Sequence, residues 1–211
     1  MPAPFQLLSD EELARQAQAG SLAAFEALVT RYERRLCAFV ANLGPNAAAA
    51  RDITQDTFVR AFQAIAQFNH RHTFAAWLFT IARHKAADHR RASLPYADGP
   101  LPELADNTDP AEVLARREAG QDLWRLARAK LPELQFQALW LRYAEELPVV
   151  EVARVLGRTR THVKVLLFRA RQTLCRELAR CQAAAASTGH VSAAQPPGRH
   201  APPLTFNASS L

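Results

Sequence analysis

The sequence predicts an all-α protein built from two small helical domains that are joined by a flexible linker. Apolar residues recur with the helical period in segments separated by glycine, proline and helix-capping residues, and no β alternation lasts long enough to indicate a strand. A proline-rich segment interrupts the helical period in the middle of the chain. With 211 residues, the chain is long enough for two domains with a modest core each.

Four helices are predicted in the N-terminal domain, residues 1–92. A capping box that begins at Ser9 starts the first helix, and Ser21 can cap the second. The third helix is predicted from about residue 48 to residue 67, and the fourth begins at the N-cap Thr73. The residues predicted to pack the core from the third and fourth helices are Phe58, Phe62, Ile65, Phe74, Trp77, Leu78 and Ile81.

Residues 93–115 are predicted to form the flexible linker. This part of the chain holds four prolines between residues 92 and 110, no helical period and a concentration of acidic residues. The acids between residues 92 and 110 are Asp98, Glu103, Asp106 and Asp109.

A helix-turn-helix is predicted in the C-terminal domain, residues 116–182. Pro148 precedes a short apolar-periodic segment, Gly157 makes the turn, and Thr159 or Thr161 can cap the second helix. Many helical hairpins with a glycine turn bind nothing, so this spacing by itself leaves DNA binding open. Residues 183–211 are poor in large apolar side chains and are predicted to form a disordered tail. The face of the second helix predicted to pack comprises Val163, Leu167, Ala170, Leu174 and Leu178.

The charge of the chain favours a polyanionic partner. The formal net charge is +6, which suits nucleic acid and, as the competing polyanion, a membrane surface. No apolar run is long enough to span a bilayer and the N-terminus lacks a secretory signal, so membrane insertion is not expected and a cytoplasmic location is predicted. No nucleotide-binding or nucleophile motif is present, and the histidines lack metal-site spacing. We therefore predict no enzyme activity, no catalytic residue, no metal and no cofactor.

One stretch carries a specific family pattern. Residues 51–91 contain the order D-x-x-Q-D-x-F-x-x-A-F, then F, then F-x-x-W-L-x-x-I-A, then D-x-x-R. This stretch resembles region 2 of bacterial sigma factors of the extracytoplasmic-function (ECF) type. Residues 131–174 similarly resemble region 4 of that family. The matching positions in region 4 are Leu131, Pro132, Glu151, Ala153, Leu156, Gly157, Val163, Lys164, Arg169, Ala170 and Arg171.

The resemblance implies a polymerase-binding face on the third helix. In the family, this helix docks on the β′ clamp helices of the RNA polymerase core. The spacing of Asp52, Gln55 and Asp56 places all three on one helix face, and Arg60 is assigned to the same site. A solvated polar face is the alternative interpretation of these residues.

The resemblance also implies two promoter-binding surfaces. The loop and helix that follow the third helix would open the −10 element, because a base taken out of the stack needs a pocket and stacking contacts. The recognition helix would read the −35 element in the major groove, while region 4 contacts the β-flap of the polymerase. The residues assigned to −10 DNA are Asn69, His70, Arg71, His72, Arg83, Lys85, Arg90 and Arg91, and those assigned to −35 DNA are Arg158, Arg160, Thr161, His162, Lys164 and Arg171.

The recognition helix departs from the family pattern. The usual Lys-Ser-Arg is Lys164-Val165-Leu166, so an arginine of the DNA face is replaced by leucine. We therefore expect weaker −35 reading and a role for exposed Val149, Val150 and Leu166 in binding a protein partner.

Taken with the resemblance, the sequence predicts an ECF sigma factor that directs core polymerase to specific promoters and melts the −10 element. Its partners would be the polymerase core, promoter DNA and, by resemblance alone, an anti-sigma factor. The acids of the linker could mimic nucleic-acid charge. The alternatives are a stand-alone helix-turn-helix transcriptional regulator and an interaction module of the anti-sigma kind.

Overall fold

All regular structure in the described part of the chain is helical. The structure is a computed structural model that describes residue 5, residues 7–92 and residues 123–188, with residues 182–188 as backbone only. The linker predicted over residues 93–115, with its acidic residues, lies outside the described residues. The helices are α1 (Asp10–Gln18), α2 (Leu22–Ala41), α3 (Ala47–Ala64), α4 (Phe74–Ala92), α5 (described over residues 123–130), α6 (Glu133–Tyr143), α7 (Val149–Leu156) and α8 (Arg160–Thr188), and a 3₁₀ turn covers Ile65–Gln67.

The four N-terminal helices begin where side-chain caps stand in the sequence. Ser9 accepts a hydrogen bond from the Glu12 N–H at 3.2 Å, and Ser21 and Thr73 cap α2 and α4 in the same way. Each cap satisfies a backbone N–H that the helix itself leaves without a partner. These three predicted caps are confirmed, and Asn46 caps α3.

Aromatic rings between α2 and α4 hold the N-terminal bundle together. The rings of Phe39 and Phe79 meet edge to face at 5.1 Å, and those of Tyr32 and Phe74 at 5.6 Å. All four side chains are almost fully buried. The Tyr32 hydroxyl donates to Asp10, and its burial together with this contact raises the pKa of the phenol well above its ordinary value.

The packing predicted for Phe62 is wrong. Its side chain is 47% exposed and meets the Phe25 ring edge to face, with 5.0 Å between the ring centroids. Phe58, Ala61 and Ile65 already fill the buried stripe of this segment at i, i+3 and i+7. Phe62 therefore lies at the edge of that stripe, where it remains open to solvent.

The C-terminal helices form the predicted helix-turn-helix. Gly157 ends α7 in the left-handed conformation at φ 62°, which a residue without a Cβ adopts with least strain. The Thr159 hydroxyl accepts from the His162 N–H at 3.2 Å, so Thr159 rather than Thr161 caps α8. An aromatic cluster of Trp124, Phe136 and Trp140 packs behind the hairpin.

The last helix is longer than predicted. α8 continues to Thr188, so the prediction of disorder is wrong over residues 183–188; the rest of the predicted tail lies outside the described residues. Residues 183–186 are alanines, which have the highest intrinsic helix propensity and extend a helix without needing a core. The predicted packing of Leu178 is also wrong, because its side chain is 40% exposed.

The described helices of the predicted N-terminal domain and most of those of the predicted C-terminal domain belong to one compact unit. Contacts divide the chain after Leu174, and the unit before that residue contains α1 to α7 and the first part of α8. Within this unit, α4 of the N-terminal bundle packs against α7 of the helix-turn-helix. The surfaces of the two halves must therefore be considered together.

Removal of the Phe79 ring tests the aromatic seam. We expect Phe79→Ala to lower the free energy of unfolding by about 3–5 kcal/mol, because the change leaves a cavity beside Phe39. Chemical denaturation monitored by circular dichroism measures the loss. Phe168→Ala removes an equal ring from a side chain that is 54% exposed and serves as the control. A loss of less than 1 kcal/mol for Phe79→Ala would contradict the assignment.

Candidate nucleic-acid and polymerase interface

The polar face of α3 is open to solvent. Asp52, Gln55, Asp56 and Arg60 are all exposed, and Val59, which is 52% exposed, lies among them. The spacing of these residues brings them to one side of the helix because the opposite side packs in the bundle. The result is a mixed polar and apolar strip, a composition suited to a protein partner.

The strip is linked to the cations of α4. The Lys85 ammonium lies 3.9 Å from a carboxylate oxygen of Asp56. Both side chains are substantially exposed, so this ion pair contributes little to stability. It does place one residue assigned to the polymerase beside one assigned to DNA.

The loop after the 3₁₀ turn is held in place by a residue to which the sequence had given no role. Gln18 of α1 donates from its amide nitrogen to the backbone oxygens of Ile65 and Phe68, each at 2.9 Å, and its amide oxygen contacts the His70 ring. Two bonds to main-chain carbonyls fix the start of the loop. No local sequence signal identifies Gln18, because its partners are 47 and 50 residues away in the chain.

Four of the residues assigned to −10 DNA lie in the loop itself, and three of these four are open to solvent. Asn69, His70 and Arg71 are exposed, and the Asn69 side chain accepts from the Arg71 N–H at 3.0 Å in a local turn. Phe68 is buried beneath them with its ring on Trp77, 5.3 Å between centroids. The fourth residue, His72, is half-buried and faces the C-terminal half.

The cations at the end of α4 differ in exposure. Arg90 and Arg91 are exposed, and Arg91 pairs with Asp88 one turn earlier at 2.7 Å. Arg83 is half-buried, and this burial, followed by repulsion from Arg158, lowers the pKa of its guanidinium. The Arg83 guanidinium also lies 3.5 Å from the Val155 carbonyl, which places the end of α7 close to α4.

The recognition helix presents a cationic face. Arg158, Arg160, Thr161, His162 and Lys164 are exposed around the turn and the first turn of α8. Arg171 is exposed two turns later and donates to the Tyr143 hydroxyl at 3.4 Å. The residues predicted for −35 DNA are therefore all accessible to solvent.

The expectation for Leu166 is wrong. Its side chain is only 7% exposed and packs with Val163 and Leu167 in the core, so it does not lie on the cationic face. Val163, Leu166, Leu167 and Ala170 follow the i, i+3, i+4, i+7 spacing of the buried stripe, and this register turns position 166 inward. Val149 is half-buried against the same core, whereas Val150 and Val165 are 44% and 40% exposed.

Polar contacts join the two halves. The Arg35 guanidinium lies 2.7 Å from a carboxylate oxygen of Glu145, and Arg90 lies 2.7 Å from Glu133. Arg83 donates to the Gln137 amide oxygen at 3.2 Å. The remaining contacts are His72 Nδ1 to Glu151 Oε1 at 3.4 Å and Arg83 to the Val155 carbonyl at 3.5 Å.

Sequence reasoning missed this junction almost entirely. Glu151 was noted as a family position without a role, and Arg35, Glu133 and Glu145 were not singled out. Arg35 and Glu145 are 110 residues apart, so only the packing of the two halves makes them neighbours.

Glu145 is the most buried acid of the junction. Only 2% of its side chain is exposed, and it accepts from Arg35 and from the Trp140 ring N–H. Burial raises the pKa of its carboxyl, and the contacts with Arg35 and Trp140 oppose that rise without cancelling it. The desolvation of this carboxylate therefore outweighs the attraction of its partners.

Comparison with known families supports the assignment of both halves. The family model described as Sigma-70 region 2 matches residues 28–93, and the one described as Sigma-70, region 4 matches residues 122–174. Together they cover more than half of the chain, in the order that the sequence motifs predicted. The chain belongs to the sigma-70 family.

Similar proteins identify the ECF type within the sigma-70 family. The ECF RNA polymerase sigma factor BldN of Streptomyces coelicolor is 33% identical over 172 residues, which are 79% of this chain and 65% of that protein. The RNA polymerase sigma-H factor of Pseudomonas aeruginosa is 27% identical over 80% of this chain and 93% of its own length. Among solved structures, CnrH in complex with the cytosolic domain of CnrY matches with a TM-score of 0.59 at 28% identity, over 81% of this chain and 97% of CnrH.

Two further observations concern membrane-spanning helices and metal sites. None of the helices in the described residues has the length and hydropathy needed to cross a bilayer. Among the described side chains, no three histidine, cysteine or acidic residues are grouped to hold a metal ion.

The raised pKa of Glu145 predicts a pH dependence of stability. A carboxyl whose pKa is raised by folding contributes stability below its unfolded pKa, about 4.3, and loses it as pH rises through the folded pKa. Glu145→Gln cannot ionise, so we expect the difference in unfolding free energy between this variant and the wild type to move in favour of glutamine as pH rises from 4 to 7. Chemical denaturation at several pH values measures this difference.

The surface variant Glu146→Gln removes the same charge and provides the baseline for that comparison. If the difference between Glu145→Gln and the wild type follows this baseline at every pH, burial does not raise the pKa of Glu145.

Proposed function

We propose that this sigma-70 family member directs RNA polymerase core to a subset of promoters and captures the opened −10 element, acting in the cytoplasm by binding and without covalent chemistry. The proposal rests on the presence of both family regions in the expected order. Each region has an exposed surface whose chemistry suits its proposed partner. Region 2 presents the polar strip of α3 and the cations of α4, and region 4 presents the cationic face of α8. BldN and the sigma-H factor are named as sigma factors of RNA polymerase.

The polymerase contact is proposed for α3. Asp52, Gln55, Asp56 and Arg60 supply polar groups on one face, and exposed Val59 adds apolar area within it. This combination suits docking on the β′ clamp helices. The exposed valines of region 4, Val150 and Val165, are proposed to contact the β-flap.

Capture of the −10 element is proposed for the loop and α4. Asn69, His70 and Arg71 are accessible above the fixed Phe68, where an unstacked base could be held. Lys85, Arg90 and Arg91 follow on α4 and could neutralise successive phosphates. Arg83 and His72 complete this surface only when the C-terminal half does not cover them.

Reading of the −35 element is proposed for α8. Because Leu166 is a core residue, its replacement of the usual arginine leaves the accessible cations Arg160 and Lys164 in place. The buried leucine supports helix packing and cannot contact phosphate.

A protein that restrains the factor is also proposed. CnrH was solved with the cytosolic domain of CnrY, and we infer a regulatory partner of the anti-sigma kind for this chain.

In vitro transcription tests the proposed function and the α3 contact together. Purified core polymerase with the wild-type chain should give new start sites on a pool of genomic promoter fragments. Asp52→Arg reverses a charge on the exposed strip, so we expect binding to core to weaken at least about tenfold, or about 1.4 kcal/mol, with transcription falling in parallel. Start sites are mapped by sequencing 5′ ends, and core binding is measured by fluorescence anisotropy.

Glu33→Arg makes the same charge change on exposed α2 and is the matched control. Equal core binding by the two variants would remove α3 from the polymerase contact. The absence of new start sites, together with tight duplex binding by the chain alone, would instead favour the stand-alone regulator.

The salt dependence of promoter binding tests the recognition helix. Lys164→Ala removes one proposed phosphate contact, so the slope of log affinity against log salt should become shallower by about 0.9. The affinity of the holoenzyme for promoter duplex is measured at four salt concentrations. Arg180→Ala removes a cation from a later turn of α8, outside the proposed surface, and should leave the slope unchanged. Identical slopes for both variants would exclude Lys164 from the DNA contact.

A further inference from the structure

We propose that Gln18 of α1 fixes the hydrogen-bonding polarity of His70, so that the loop after the 3₁₀ turn selects an unstacked base with an exocyclic amine, adenine or cytosine. This inference rests on the proposed capture of the −10 element and concerns the base that the loop accepts. Gln18 acts through His70 and is therefore a positioning residue. It precedes residues 28–93, which the region 2 model matches, so the family match assigns it no role.

The side-chain amide of Gln18 can take only one orientation. Its nitrogen lies 2.9 Å from the carbonyl oxygen of Ile65 and 2.9 Å from that of Phe68. Carbonyl oxygens only accept hydrogen bonds, so both amide hydrogens are directed at them. A flipped amide would place its oxygen against these two oxygens and would lose both bonds. The amide oxygen must therefore face the third partner, which is the His70 ring.

This orientation determines where the proton of His70 lies. The Gln18 oxygen can only accept, so His70 Nε2 must carry a hydrogen and donate it. In a neutral imidazole the other ring nitrogen, Nδ1, is then an acceptor. His70 is exposed, and within the described residues its one hydrogen bond is the contact with Gln18. Nδ1 is therefore an acceptor that is available to a ligand.

The direction of the His70 ring is also restrained. Its centroid lies 4.9 Å from that of Phe68, edge to face. Phe68 is itself buried against Phe74 and Trp77, with 5.8 and 5.3 Å between centroids. Because the ring is held both by Phe68 and by Gln18, Nδ1 is oriented before a base arrives. An acceptor that is already oriented loses less conformational entropy when it binds.

The neighbouring amide offers the opposite polarity. The Asn69 oxygen accepts from the Arg71 N–H at 3.0 Å, which leaves the amide nitrogen of this exposed residue as a donor. The loop thus presents an acceptor on His70 beside a donor on Asn69. Adenine and cytosine carry an amine at the position where guanine and thymine carry a carbonyl oxygen. That oxygen would oppose the lone pair of His70 Nδ1, so the two amine-bearing bases are favoured.

The experiment removes only the amine from each adenine or cytosine of the −10 strand in turn. Holoenzyme that contains the full-length chain is bound to single-stranded DNA of the mapped −10 sequence, in which one base is replaced by the same base without its amine. Fluorescence anisotropy gives the ratio of the affinities for the unmodified and modified strands. We expect a ratio of about five at one position that depends on His70, which is the effect of losing one hydrogen bond.

Four variants separate positioning from folding. His70→Phe keeps a ring against Phe68 but has no acceptor, and should abolish the difference between the strands. Gln18→Glu cannot donate to either carbonyl and should also abolish it, although His70 itself remains. Gln16→Glu makes the same change two positions earlier on α1 and should keep the wild-type ratio. If circular dichroism shows that Gln18→Glu is unfolded, the uncharged variant Gln18→Met takes its place.

Two results would overturn the inference. One is the absence of any position at which His70→Phe abolishes the amine dependence. The other is a wild-type ratio in the folded Gln18 variant, and equal weakening of both strands counts as this result because it reports only a structural role. Either result leaves the sigma function intact if new start sites appear in the transcription assay. The absence of start sites with the wild-type chain would remove the proposed function and this inference with it.

Discussion

The edge-to-face aromatic seam between α2 and α4 is the constraint on which the rest of the structure depends. Phe39 against Phe79 and Tyr32 against Phe74 fix how α4 lies on the bundle. The orientation of α4 in turn decides which of its cations face solvent and which face region 4. Because fully buried rings allow little sliding, a surface that must recognise DNA geometry is supported by a rigid base.

Electrostatics places two opposing requirements on the basic surface. Cations that bind phosphate must be accessible, but an accessible basic surface also attracts any polyanion. Covering Arg83 and His72 with groups of region 4 reduces that exposure at the cost of burying Glu145 and Glu151.

Local sequence patterns predicted much of the fold and the overall chemistry of the site. The caps Ser9, Ser21 and Thr73 and the turn at Gly157 depend on residues at most a few positions apart, so local chemistry is sufficient to find them. Local patterns did not decide whether residues at the edge of a helix face are buried or exposed. Phe62 and Leu166 were each one helical position from the boundary between buried and exposed, and only the neighbouring helix decides such cases.

The sequence by itself determined that the chain is helical, that it carries the two sigma regions in order, and where its cations lie along the helices. Only the tertiary structure decided which of those cations are free for DNA and which meet Glu133, Glu145 or Glu151. The physical reason is the range of each interaction. Caps and helical stripes act within a few residues, whereas the contacts at the junction join residues from 43 to 110 positions apart, whose meeting depends on how complete helices pack.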